Sequence, residues 1–180
     1  MRRERLRPVW PDDELARLYA EPHDHHRWGD HEIRVDATIA LGQRLAGPGV
    51  VSAADLSCGN GSILSAMPAT LRYFGDFAPG YDITGPIEQT VDLIPPVDLF
   101  VCSETIEHLD DPETVLKAIR AKTSLLLLST PVGAWDDGNP EHYWAWDREA
   151  VERMLTDAGF TVVEYAEVAP SYRFGIWGCR

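Results

Sequence analysis

Cysteine is scarce in this 180-residue sequence, and long apolar runs are missing from it. The three cysteines, Cys58, Cys102 and Cys179, lie far apart and match neither a zinc-ligand spacing nor a paired disulfide framework. No apolar run is long enough to cross a bilayer, and the first residues lack the apolar stretch of a secretory signal. These absences predict a soluble protein of a reducing compartment, which we take to be the cytoplasm.

Basic charge is scarce as well. The chain has 16 Lys and Arg residues against 29 Asp and Glu residues, which gives a formal net charge of −13. A chain of this charge repels polyphosphates at long range, and this disfavours nucleic acid as a partner. Four arginines nevertheless lie within the first seven residues, and we interpret this basic tip as a solvated, disordered arm.

Strand-like and helix-like segments alternate along the chain. Apolar runs suited to buried parallel strands lie at 50–56, 97–102 and 124–129. Helical patterns lie at 32–45, 62–67, 112–122 and 148–158. A first helix is predicted to begin after an N-cap at Asp12 or Asp13. The last two strands, 161–168 and 172–179, are joined by so short a link that they must form an antiparallel hairpin.

A glycine-rich turn follows the first of these strands. It reads Asp55-Leu56-Ser57-Cys58-Gly59-Asn60-Gly61, and a short helix comes next. Glycines let the backbone approach a ligand closely, and the helix N-terminus offers free N–H groups. Asp76 ends a predicted second strand at 71–76, 21 residues after Asp55. An acid at about this offset binds ribose hydroxyls in Rossmann-type sites.

This turn resembles the acid and Gly-x-Gly-x-Gly pattern of the class I S-adenosylmethionine (SAM) dependent methyltransferases, and the terminal hairpin resembles the end of their sheet. Asp55 matches the acid, Gly59 and Gly61 match the second and third glycines, and Ser57 replaces the first. The resemblance implies a Rossmann-like α/β fold with a mostly parallel sheet and an antiparallel C-terminal hairpin. It implies SAM as the cofactor, held by Asp55, Ser57, Cys58, Gly59, Asn60, Gly61, Asp76, Ile87, Glu88, Ser103 and Glu104.

One stretch departs from the family pattern. Only four residues separate Asp76 from Tyr81, whereas a parallel crossover needs a dozen or more. The usual helix between the second and third strands therefore cannot fit. We expect a reduced region in which the third strand is lost or folds back irregularly.

The residues that would meet the methyl acceptor are predicted from the same resemblance. Residues 50–180 would form the SAM-binding catalytic part of a single domain, and residues 1–49 an N-terminal helical lid. His142 is the first candidate for a general base and His108 the second, because imidazole titrates near neutral pH. Trp28, His31 and Tyr143 are predicted to contact the acceptor. The expected reaction is methyl transfer to an oxygen or nitrogen of a small, neutral or cationic molecule.

Alternatives follow from the same residues. Glu104, Glu107, His108 and His142 could together hold a divalent cation, and the set resembles the metal site of the small-RNA 3′-terminal 2′-O-methyltransferases. Against this, Glu107-His108-Leu109 is also a structural motif of metal-free relatives, and the acidic chain favours a metal-free enzyme. A nicotinamide-dependent oxidoreductase would want a catalytic Tyr-x-x-x-Lys, and only Lys117 and Lys122 are lysines. A catalytically silent SAM-binding protein is the remaining alternative.

Overall fold

A seven-stranded sheet forms the centre of the protein, whose computed structural model describes residues 1–20, 31–169 and 172–180. The strands in chain order are β1 (Arg3–Arg5), β2 (Ser52–Asp55), β3 (Leu71–Asp76), β4 (Ile83–Thr84), β5 (Leu99–Ser103), β6 (Leu125–Pro131), β7 (Trp144–Trp146), β8 (Val162–Val168) and β9 (Phe174–Cys179). The helices are α1 (Asp12–Leu18), α2 (His31–Ala46), α3 (Ser62–Ser65), α4 (Ile87–Thr90), α5 (Pro112–Lys122) and α6 (Arg148–Asp157).

The strand order in the sheet is β4-β3-β2-β5-β6-β9-β8. Strands β2 to β6 pair in parallel, whereas β9 runs antiparallel to both β6 and β8. The predicted parallel sheet with a reversed C-terminal hairpin is therefore confirmed. Because parallel strands all point the same way, the loops after β2, β3, β5 and β6 emerge along one edge, where ligands bind in sheets of this kind.

Helices cover both faces of this sheet. Successive side chains of β5 point to opposite faces, so Phe100 enters one apolar cluster while Leu99 and Val101 enter the other. The first cluster includes α5 and α6, and the second includes α2 and α3. Burial on both faces explains why these strands are continuous apolar runs in the sequence.

Local capping signals set the ends of the later helices as predicted. The Asp111 carboxylate accepts a hydrogen bond from the backbone N–H of Thr114 at 3.1 Å, and Pro112 opens α5. Asp147 caps α6 through the N–H of Ala150 at 2.8 Å. The predicted aspartate cap of α1 is wrong, because the residue before the helix is Pro11 and no side chain in the described part of the chain caps it.

The third strand of the sheet is short but present. β4 has two residues, which pair in parallel with Gly75 and Asp76 of β3. The connection between β3 and β4 spans only residues 77–82 and contains no helix, as its length requires. The reduced region is thus confirmed, but the expectation that the third strand is lost or folds back irregularly is wrong, because β4 begins level with the end of β3 and a short link suffices to pair them in parallel.

The N-terminal tip is an ordered strand, so the prediction of a disordered arm is wrong. β1 pairs antiparallel with β7 in a separate two-stranded sheet. Arg3 forms ion pairs through both terminal nitrogens with Glu113, and its guanidinium lies 3.9 Å from the ring centroid of Trp144. Arg5 pairs with Asp110 at 2.5 Å. The arginines are ordered because they form ion pairs and cation–π contacts with acids and indole rings far along the chain.

Among the described helices, none combines the length and apolar character that a bilayer span requires.

Candidate active site

The glycine-rich turn lies at the carboxyl end of β2 and leads into α3. Gly59 and Gly61 both have left-handed backbones, with φ of 55° and 74°. A Cβ on Gly61 would stand 3.1 Å from the ring of Phe74, so only glycine fits there without displacing the ring. Asn60 accepts from the N–H of Ser62 at 3.0 Å and so closes the turn at the start of α3.

Asp76 braces this turn from the end of the neighbouring strand. Its Oδ2 accepts a hydrogen bond from the Gly59 N–H at 2.7 Å, and its Oδ1 accepts from the Ala78 N–H at 2.9 Å. Tyr81 donates its hydroxyl to the carbonyl oxygen of Gly59 at 2.8 Å, and its ring stacks on Phe74 with centroids 5.9 Å apart. The structure therefore brings the acid and the glycine turn together, and Tyr81 is a partner that the sequence did not reveal.

Ser57, which replaces the first glycine, links two loops of the site edge. Its hydroxyl lies 2.6 Å from that of Thr105, in the loop after β5. Its backbone N–H donates to Asp55 at 3.1 Å. Asp55 is buried, and burial raises its pKa to about 7, against the hydrogen bonds from Ser57 that lower it. Cys58 is half-buried in the same turn, and burial raises the pKa of its thiol to about 12.

A polar cluster surrounds the end of β5. Ser103 hydrogen bonds to Ser129 at 2.7 Å, and Ser129 donates to Glu104 at 2.9 Å. Arg34 reaches in from α2, donating to Ser103 at 2.9 Å with its Nε 3.9 Å from a Glu104 carboxylate oxygen. Glu104 has a φ of 54°, a conformation that costs a residue with a side chain on the order of 1–3 kcal/mol. The cluster holds a carboxylate in a strained backbone at the sheet edge, where function often keeps such strain.

Glu107 lies one turn further along and is almost completely buried, with 1% of its surface exposed. Its Oε2 accepts a hydrogen bond from Thr130 at 3.0 Å, whereas its Oε1 has no hydrogen-bond partner among the described residues. Burial first, and then the charge of Glu104, raise the pKa of Glu107 above the usual range of a glutamate. The carboxyl group is thus poised to hold a proton or to bind a cation.

His142 and His108 meet beside Glu107. Their ring centroids lie 4.7 Å apart at an interplanar angle of 87°. Nδ1 of His142 lies 2.6 Å from Oδ2 of Asp137, a buried acid whose Oδ1 accepts from the Asn139 N–H at 2.8 Å. One ligand atom each from Glu107, His108 and His142 lies within 4.8 Å of the others, so the three could hold a metal ion. Glu104, the fourth residue of the predicted set, is outside that group.

The other predicted residues are placed as follows. Ile87 is buried in the apolar cluster under α4, and Glu88 beside it is exposed. Tyr143 has a buried ring, and its hydroxyl accepts from the backbone N–H of Trp10 at 3.2 Å. His31 lies beside Arg34, with its Nδ1 3.3 Å from a guanidinium nitrogen. Trp28 lies outside the described residues.

Sequence reasoning missed Arg34, Ser129, Asp137 and Tyr81 as members of the site. Each acts on a residue distant in the chain or belongs to a loop without a motif, so no local pattern marked it. For Asp137 the only signal was the turn-forming run Asp136-Asp137-Gly138-Asn139-Pro140, which indicates a tight loop just before His142.

Comparison with known proteins agrees with this geometry. The family model of the methyltransferase domain matches residues 30–165. No protein with a curated functional description matches the sequence. The parallel sheet with one reversed strand, the glycine turn after β2 and the acid at the end of β3 define a class I SAM-dependent methyltransferase. The chain belongs to the methyltransferase domain family, and its cofactor is SAM.

Three solved structures illustrate the similarity of fold. The 1,6-didemethyltoxoflavin N1-methyltransferase of Burkholderia thailandensis aligns with a TM-score of 0.73 and 16% identity, over 97% of this chain and 92% of that one. Magnesium protoporphyrin IX methyltransferase of Synechocystis aligns with a TM-score of 0.66 and 16% identity, over 93% and 92%. A small RNA methyltransferase aligns with a TM-score of 0.65 and 18% identity, over 98% of this chain and 26% of its own.

Proposed function

We propose that this methyltransferase transfers the methyl group of SAM to an oxygen or nitrogen of a small molecule, with His142 as general base. The observation that carries the proposal is the pair formed by His142 and the buried Asp137 at the carboxyl edge of the sheet. Two structural neighbours, the didemethyltoxoflavin and magnesium protoporphyrin IX enzymes, are methyltransferases named for small-molecule acceptors, which supports this acceptor class.

The residues divide the chemistry between them. SAM supplies the activated methyl group on its sulfonium. The glycine turn and Asp76 would hold the cofactor at the ends of β2 and β3, and Asp55, Ser57, Cys58, Asn60, Ser103 and Glu104 would contribute to the same site. Asp137 accepts the Nδ1 proton of His142, which leaves the lone pair of Nε2 to take a proton from the acceptor. His108, stacked edge-on against His142, is the second candidate for this base.

Within the N-terminal segment predicted as a helical lid, residues 1–49, only the part around α1 would cover this edge, because α2 packs into the apolar cluster on one face of the sheet. Tyr19, just after α1, donates to Glu141 at 2.6 Å and lies 5.1 Å from Phe77 by ring centroids. It therefore bridges the loops that follow β3 and β6, on either side of the site. His31 and Tyr143 adjoin the same region, and we retain them, with Trp28, as proposed acceptor contacts. Such a lid would exclude water from the reacting groups.

A neutral or cationic acceptor suits the charges at the site. The charges of Asp137 and Glu104 act on the proposed base, while Arg34 is engaged with Ser103 and Glu104. An anionic acceptor would face these carboxylates at short range. The net charge of −13 adds long-range repulsion of nucleic acid. The three free thiols support a reducing compartment, and we propose the cytoplasm.

A second candidate function has an observation of its own. The Oε1 of Glu107, which has no hydrogen-bond partner in the described part of the chain, and the two adjacent imidazoles fit a divalent cation such as Mn²⁺, for which nitrogen and oxygen ligands are suitable. Asp137 would then orient a ligating histidine, as carboxylates commonly do at metal sites. In that case the acceptor would be a ribose 2′-hydroxyl at an RNA 3′ end, and the small RNA methyltransferase is a structural neighbour.

One experiment tests both candidates. Transfer of labelled methyl from SAM is measured on a panel of small hydroxyl and amine acceptors and on short RNA with a free 3′ end, each with EDTA and with added Mn²⁺. Transfer to small acceptors that EDTA leaves unchanged supports the proposal. RNA methylation that EDTA abolishes and Mn²⁺ restores supports the second candidate. SAM binding without transfer to any acceptor would favour the catalytically silent alternative.

A further inference from the structure

The N-terminal arm, residues 1–7, runs along the segment that carries the proposed base. β1 pairs with β7, which begins two residues after His142. Beyond the strand, the N–H of Leu6 donates to the carbonyl of Tyr143 at 2.8 Å. At the other end, the Arg2 N–H donates to the Asp147 carboxylate at 2.5 Å. The arm thus lies along residues 143–147, from the residue after His142 to the start of α6.

Arg7 extends this contact to the residue that holds His142. Its Nη2 donates a hydrogen bond to the backbone carbonyl of Asp137. Its Nη1 is buried and has no hydrogen-bond partner among the described residues. Arg7 and Leu6 therefore hold the turn of Asp137 and His142 from both of its ends.

Aromatic and ionic contacts fix the arm itself. The guanidinium of Arg3 lies 3.9 Å and that of Arg5 lies 5.0 Å from the ring centroid of Trp144. Arg3 and Arg5 are both on the same side of β1, because side chains alternate along a strand. Their ion pairs reach Glu113 and Asp110 near the start of α5. Several contacts thus anchor the arm, and Arg7 is held in place at its end.

We propose that Arg7 is a positioning residue for His142, acting through Asp137. The guanidinium fixes the Asp137 backbone, and the carboxylate of the same residue then fixes the Nδ1–H of the imidazole. A separate N-terminal segment would in this way complete the acceptor side of the site. The proposal rests on the proposed role of His142, and its test uses signals that need no acceptor.

The test compares Arg7→Ala, Arg7→Met and Arg7→Lys in the full chain by NMR. Two signals are followed: the Nδ1–H proton of His142, and hydrogen exchange of the Asn139 amide, which donates to Asp137. In the Ala and Met variants we expect the His142 proton to shift and the Asn139 amide to exchange about tenfold faster, the scale of one lost hydrogen bond to a charged group. Lysine keeps a donor and a charge, so Arg7→Lys should restore most of both signals.

Arg17→Ala is the matched control, because Arg17 is exposed and, among the described residues, pairs with Asp13 within α1. It should leave both signals unchanged. Arg7→Met keeps the aliphatic stem, so it still tests the hydrogen bond if Arg7→Ala fails to fold. The proposal is overturned if Arg7→Met matches Arg17→Ala in both signals. A missing methyl transfer with altered signals would instead count against the proposed function alone.

Discussion

Nδ1 of His142 lies 2.6 Å from Oδ2 of Asp137, with only 15% and 6% of the two side chains exposed. Burial alone would lower the pKa of His142, but the hydrogen bond to Asp137 and the charges of Glu107 and Asp137 outweigh it and raise that pKa. A raised pKa makes the imidazole a stronger base once it is deprotonated. The carboxylate also selects the tautomer, so that Nε2 is the nitrogen free for chemistry.

Cofactor affinity should depend on the brace between Asp76 and the glycine turn. Asp76→Ala removes the acceptor of the Gly59 N–H, and we expect it to weaken SAM binding by roughly 1.5–3 kcal/mol, the range for hydrogen bonds to a charged group. Asp82→Ala, an exposed acid in the same loop region, is the control and should have no effect. Calorimetry measures the affinity of each variant for SAM, S-adenosylhomocysteine and NAD. Equal affinities for both variants would assign Asp76 to the loop surface.

The tight approach at Gly61 should show in stability. Gly61→Ala forces a left-handed alanine and places its Cβ 3.1 Å from Phe74, so we expect a loss of about 1–3 kcal/mol in the free energy of unfolding. Gly47→Ala is the matched control, because Gly47 has a φ of 59° but an alanine Cβ there would meet no described atom within 4 Å. Urea unfolding of both variants gives the comparison. If Gly47→Ala costs as much as Gly61→Ala, the ring contact contributes nothing.

Much of the fold could be predicted because its signals are local. The strand at 71–76 and the caps Asp111 and Asp147 were found where the sequence placed them, since a terminal acid, a proline at the first helical position and an apolar run each act within a few residues. The hairpin followed from the short link between its strands. The glycine turn was equally visible, because its geometry needs glycine at fixed positions.

The rest depends on contacts between distant parts of the chain. Arg3 and Arg5 look like a solvated tip until Glu113 and Trp144 are brought to them by the fold. Arg7 meets Asp137 130 positions later, and Arg34 meets Ser103 69 positions later. Charge composition predicts that such residues lie at the surface, and it carries no information on which partner the fold will provide.

The contribution of Asp55 to stability should fall as pH rises from the pKa of an unfolded aspartate to the raised pKa of the folded protein. Burial raises the pKa of Asp55 to about 7 in the folded protein, whereas an unfolded aspartate titrates near ~3.9. Between these values the folded state binds more protons than the unfolded state, so the free energy of unfolding decreases with pH. Asp55→Asn removes this slope and should gain on the order of 1–4 kcal/mol over the wild type at pH 8 without cofactor. Glu107, whose pKa is also raised by burial, leaves a residual slope of the same sign.

Asp98→Asn provides a control, because the contribution of Asp98 to stability has the opposite dependence on pH. Hydrogen bonds from Ser52 and Val51 lower the pKa of Asp98, so its contribution is present above pH ~3.9 and is lost as pH falls through the lowered pKa. The variant should therefore be less stable than the wild type at pH 7 and approach it in acid. Urea unfolding at several pH values measures both variants. A stability of Asp55→Asn that tracks the wild type at every pH would show that Asp55 titrates normally.

Catalysis should depend on His142 far more than cofactor binding does. With an acceptor identified, His142→Ala should lower kcat by ~10²–10⁴ if the imidazole removes a proton in the transition state. Affinity for SAM should stay within about twofold, because a loss confined to the transition state leaves ground-state binding intact. Asp137→Asn should lower kcat less, since the imidazole remains but loses the carboxylate that orients it. A fall seen mainly in the acceptor KM would make His142 a positioning residue. Chelation completes the test. Full activity in EDTA supports the role of His142 as general base. Activity that EDTA abolishes and Mn²⁺ restores would make Glu107, His108 and His142 metal ligands and would overturn that role.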